Sequence, residues 1–111
     1  MKTLLEVKIE PCVGMVCLAL KGRYKHHIIE ILGDKDRPYR PWSCSNKGIW
    51  VHTICETGSG AWIDYDRFVN NYSFVCMSNY RLDDLFNPAD FKIDRLAKVK
   101  ELMKQIEETV K

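Results

Sequence analysis

Five cysteines (Cys12, Cys17, Cys44, Cys55, Cys76) and three histidines (His26, His27, His52) are the side chains of this sequence best suited to bind a metal or attack a substrate. A structural zinc site normally takes two closely spaced ligand pairs on tight turns. The chain contains no C-x-x-C, and its nearest cluster is Cys44, His52 and Cys55. His52 and Cys55 stand three apart on a predicted strand, so their side chains point to opposite faces. Cys12 and Cys17 flank "VGMV", but Cys17 belongs to a strongly apolar run. Spacing therefore assigns neither a metal nor a cofactor.

A cysteine nucleophile needs partial exposure and a positioned base. Cys44 is the best-placed cysteine, between Ser43 and Ser45 with arginines upstream. No local signature couples it to His26, His27 or His52. G-x-S-x-G, G-x-x-x-x-G-K-[ST] and G-x-G-x-x-G are all absent. "TGSGAW" reads as a hairpin turn. Asp64 and Asp66 would share one face of a strand, and Asp83 and Asp84 are adjacent, but no EF-hand pattern surrounds either pair. The expectation is a protein that is not an enzyme and has no catalytic residue.

Recognition chemistry is concentrated in "RPYRPWSCSNKGIW", residues 37–50. Trp, Tyr and Arg dominate interface hot spots. Pro38 and Pro41 stiffen the segment and bias Arg37 and Arg40 to extended geometry, which lowers the entropy lost on binding. A partner-binding surface is expected at Arg37, Tyr39, Arg40 and Trp42. Trp62, Asp64 and Tyr65 of the following hairpin are its second component. Trp50 and Trp62 hold matching places in that hairpin and are expected to pair across it.

The same region supports a second reading. Residues 21–47 carry seven basic against three acidic side chains, with Tyr24, Tyr39 and Trp42 interleaved. Cations track phosphates and aromatics stack on bases in small barrels that bind single strands. Arg23, Lys25, Arg37, Arg40 and Trp42 would form that surface. The local surplus is thin beside the ~6–10 phosphates a DNA-binding protein often neutralises. A protein partner is accordingly the first expectation and nucleic acid the second.

The elements that must position these residues read as strands first and a long helix last. Residues 3–9 alternate, with Leu5, Val7 and Ile9 on one face, as a half-buried strand does. Residues 15–20 are apolar on both faces, which suits a covered strand. Strands are also expected at 25–33, 49–56, 61–65 and 71–77, separated by Gly-, Asn- and Pro-containing turns. A short helix is expected over 80–86. Asn87 and Pro88 then open a terminal helix over 88–110. Leu96, Val99, Met103, Ile106 and Val110 form an apolar stripe along it, with Leu102 on the flank. The stripe is about two heptads long, short of the three or four of a sustained coiled coil, so it is expected to pack on the chain's own sheet. Its alternative is a homodimer seam at Leu96, Val99, Met103 and Ile106.

The expected fold is α+β: an antiparallel meander or small barrel of five to six strands at roughly 3–77, followed by a C-terminal helix. The order "GRY…EILG…GIWVH…WIDYDRF" resembles small SH3-like barrels over residues 14–68. That resemblance implies the fold alone, because such barrels bind proteins, peptides and nucleic acids alike.

The whole chain sets the remaining bounds. At 111 residues it suits a single domain, 1–111, able to bury roughly two-thirds of its unfolded surface without a metal or disulfide. A net charge of +2 does not mark a dedicated nucleic-acid binder. No apolar run approaches the ~20 residues of a membrane span. Glu6, Lys8 and Glu10 break the N-terminal apolar stretch, unlike a signal peptide. The expected setting is cytoplasmic, with five unpaired, reduced cysteines. A regulator or inhibitor of a protein partner, such as a phage accessory protein, suits a small motif-free chain of this kind.

Overall fold

The computed structural model describes residues 1–33, 50–78 and 88–110, with backbone alone at Trp50, 88–92 and 108–110. Arg37, Tyr39, Arg40, Trp42 and Cys44 lie outside the described residues, as do Asn87 and the helix predicted at 80–86.

Five strands form one antiparallel sheet: β1 (Met15–Ala19), β2 (Ile28–Gly33), β3 (Trp50–Cys55), β4 (Gly60–Asp64) and β5 (Tyr72–Met77). Their order is β4-β3-β2-β1-β5. The chain meanders from β1 to β4 at one edge and returns to the other edge through α2 (Tyr65–Asn71). With α3 (Pro88–Val110) this is the expected α+β class. The sheet is not a closed barrel. β4 and β5 stay apart as edges, and helices pack on both faces of the open sheet.

One face packs Met15, Cys17, Ile29, Ile31, Val51 and Cys55 beneath Phe68 and Val69 of α2 and Leu4 of α1 (Leu4–Val7). The other packs Val16, Ile28, Leu32 and Ile54 against Leu96 of α3. Two irregularities in pairing tune this division. Val16 pairs with Cys76 and Cys17 with Phe74, leaving Val75 as the extra residue of a bulge. Alternation is broken there, so Val75 and Cys76 both join the α3 side. Leu32 is the corresponding extra residue between the Ile31–Thr53 and Gly33–His52 pairs.

The strand expected at 3–9 is instead the single helical turn α1. Thr3 caps it: the Glu6 amide donates to Thr3 Oγ1 (3.3 Å), and the Thr3 amide donates to Glu6 Oε1 (3.1 Å). This reciprocal capping box satisfies two free helix-end donors and outweighs the alternating pattern. Leu4 becomes the buried residue, while Leu5 and Val7 face solvent. Lys8 closes the turn in the left-handed region at φ 58°. Five strands therefore remain of the six candidates. The strand expected from residue 25 begins at Ile28, after a turn in which the Lys25 amide donates to Gly22 O and the His27 amide to Tyr24 O.

Helix α3 leans on β2 and β3. At about 1.5 Å per residue its 23 residues span roughly 34 Å, whereas a six-residue strand covers about 20 Å. The apolar stripe divides accordingly. Leu96 is buried against the chain's own sheet, Val99 and Met103 are half-buried, and Leu102 and Ile106 are exposed. Of the four residues of the alternative seam, Leu96 is thus already enclosed by its own core.

Candidate functional site

A concavity lies at the β4 edge, where the β1–β2 turn, β4 and the start of α2 meet. The turn supplies Lys21, Gly22, Arg23 and Tyr24. Gly22 sits at φ +92°, a conformation L side chains rarely adopt, and a Cβ there would come 3.4 Å from Asn71 Nδ2. The Leu20 amide donates to Asn71 O at 2.8 Å, tying the turn to the end of α2. Helix α2 begins directly at Tyr65, so Asp64 closes the strand and Asp66 belongs to the helix. The expected sharing of a strand face by Asp64 and Asp66 does not occur.

The groove encloses about 320 Å³. Lys21, Arg23 and Arg67 stand around it, opposed by Asp64. Tyr24, Trp62 and Tyr72 supply aromatic wall. Arg23 lies over the Tyr24 ring, 5.8 Å from its centroid, which orients the guanidinium. Tyr72 stacks on Phe68, with centroids 4.3 Å apart. Burial pushes the Tyr72 phenol far above its ordinary pKa, and the neighbouring Tyr24 adds to that, so it stays a neutral hydroxyl. The groove can therefore present three cations and neutral aromatic surface to an anionic ligand.

The hairpin register corrects the expected tryptophan pair. Trp62 lies opposite His52, and Trp50 lies opposite Asp64. The Trp62 and His52 rings stack at 4.4 Å, tilted by 10°. His52 is buried there, and desolvation holds its pKa below the ordinary value, so the imidazole is neutral at physiological pH.

The predicted site residues are thus redistributed. Trp62 and Asp64, expected for a protein partner, share the groove with Arg23, expected for nucleic acid. Lys25 is exposed on the same turn but does not line it. Tyr65 turns away, its hydroxyl 3.4 Å from Glu10 Oε1. Lys21 and Tyr24 belong to the basic-aromatic stretch 21–47 but were not assigned to a site, and Arg67 and Tyr72 were missed. The latter two carry no local motif, and only the fold joins them to a turn about forty residues earlier.

Among the described residues, one group of potential metal ligands lies close together: His27, Cys55 and Glu56, at the far end of the β2–β3 pair. No family model, curated protein or solved structure matches this chain. No described helix is long and apolar enough to cross a membrane.

Proposed function

We propose that the chain is a small non-enzymatic binding module that regulates or inhibits a protein partner, and that the β4-edge groove receives an acidic segment of that partner. The observation that carries this reading is the trio Lys21, Arg23 and Arg67 around an aromatic-walled groove. Arginine beside tyrosine and tryptophan gives charge complementarity together with large, low-entropy contact area. A cytoplasmic setting, where the cysteines stay thiols, accompanies the reading.

The test is capture from lysate by the tagged chain, in nuclease-treated and untreated halves. The expected result is a discrete protein band that survives nuclease and is lost in the Arg23→Glu/Arg67→Glu variant. Both residues are exposed, so the variant's unfolding free energy should stay within about 0.5 kcal/mol per site. Unchanged capture by the variant would remove the groove from the reading.

The nucleic-acid reading rests on Arg23 and Tyr24 lying side by side in the groove, cation over ring. It uses Arg23 and Lys25 together with Arg37, Arg40 and Trp42. Its mark is oligonucleotide affinity that falls steeply between low and moderate salt. Capture that disappears with nuclease would select it.

A further inference from the structure

The open end of the β2–β3 pair gathers three side chains of different chemistry. The Glu56 amide donates to Ile28 O at 3.2 Å, which brings residues 27–28 beside residues 55–56. His27 precedes β2, Cys55 ends β3 and Glu56 follows it. One ligand atom from each lies within 4.8 Å of the other two. We propose that His27, Cys55 and Glu56 bind a zinc-class divalent metal ion through three protein ligands, leaving a fourth position open to solvent.

The spacing suits such an ion. Ligand atoms around a tetrahedral zinc with bonds of about 2.0–2.3 Å stand roughly 3.3–3.8 Å apart. His27 Nδ1 and Glu56 Oε1 are already 3.3 Å apart. The remaining separations, at most 4.8 Å, close by about 1 Å through rotation of side chains. His27 Nδ1 is the sharper clue. It is buried and has no hydrogen-bond partner, because the nearby carboxylate is close but poorly directed. Buried polar atoms are rarely left so, and a metal would satisfy the nitrogen and the carboxylate together.

The surroundings already treat Glu56 as a cation's partner. Lys100 Nζ donates to its Oε1 at 2.7 Å, so an ammonium stands where positive charge is favoured. The Ile28 amide donates to Oε2 at 2.7 Å and fixes the carboxylate's orientation. Thr57 Oγ1, 2.8 Å from Cys55 Sγ, can donate to the thiolate a metal would require. Metal binding would release the thiol proton and displace Lys100, whose side chain is 45% exposed and free to return to water. Imidazole with thiolate selects a zinc-class ion over magnesium or calcium, which prefer all-oxygen sites.

The test uses the full chain, stripped with a chelator and titrated with Co²⁺, then Zn²⁺. The expected result is one equivalent of Co²⁺ with a near-ultraviolet thiolate charge-transfer band, bleached by Zn²⁺. Cys55→Ser should abolish the band, and His27→Gln and Glu56→Gln should each weaken binding at least tenfold. Cys12→Ser and Cys44→Ser should leave the band unchanged. Lys100→Met removes the competing ammonium and should tighten Co²⁺ binding, a gain that no folding defect can imitate. Absence of the band in the folded chain, its survival in Cys55→Ser, or weaker binding by Lys100→Met would each overturn the proposal. None of these outcomes depends on the β4-edge groove.

Discussion

Beneath α1 and α2, the sheet is closed by apolar packing, whereas beneath α3 it is closed partly by charge. On the first face Phe68 and Leu4 are fully enclosed, and Thr53, the polar residue opposite Ile31, donates to Ala61 O. On the second face Glu30, 1% exposed, meets Arg95 of α3 at 3.4 Å, and Arg95 also donates to Ser78 Oγ at 2.6 Å. Glu56 and Lys100 form another link between sheet and helix. The second face is also less complete: Val16, Cys76, Met77 and Leu102 line an open groove beside α3. The difference teaches that one helix layer belongs to the core, while the other is fastened to it at named points.

Substitutions can break this comparison in order of size. Phe68→Ala should cost about 3–5 kcal/mol in chemical denaturation, because it opens a cavity and unstacks Tyr72. A loss below about 1 kcal/mol would mean that the first face is not the main core. Arg95→Met should cost about 3 kcal/mol by removing the guanidinium that faces the buried Glu30 carboxylate. Most of that loss should return in Glu30→Leu/Arg95→Met. If the double variant is no better than the single, packing rather than charge fastens the helix.

Acid provides a smaller effect. The folded state holds His52 neutral, so the unfolded chain takes up the proton first. Stability contributed there should decline as pH falls through 6.5 toward the lower folded value, and His52→Phe should flatten that segment of the profile. Burial raises the pKa of Glu56, but the hydrogen bonds from Lys100 and Ile28 outweigh it, leaving a net depression. Its contribution is present above the ordinary value of 4.5 and is lost as pH falls through the folded value. Melting temperature against pH checks both. Lys100→Ala should cost least, at most about 1 kcal/mol at neutral pH, since the ammonium is half in water. A larger loss would place that contact among the principal fastenings.

Much of the sheet was legible in the sequence because five strands show β-type composition bounded by glycine or proline turns. The terminal helix was legible from its stripe. Two helices were not. A single turn such as α1 has no periodicity to detect, and its signal is the Thr3–Glu6 capping box alone. Helix α2, "YDRFVNN", continues directly from a strand in aromatic and β-branched residues, so its composition favours more strand. Its ring contact runs to the next element: Phe68 of the helix stacks on Tyr72, the first residue of β5. Both candidate sites were illegible for another reason. Arg23 and Arg67, or His27 and Cys55, become neighbours through strand order and register, which local spacing does not encode.

Because α3 outruns the sheet and leans on β2 and β3, its hydrogen bonds need not share the fate of the sheet's. Amides of the helix would exchange with solvent through lifting of the helix as a unit, while those of β1 and β2 wait for complete unfolding. The molecule would then carry two clocks, and hydrogen exchange would read the faster one in its C-terminal helix.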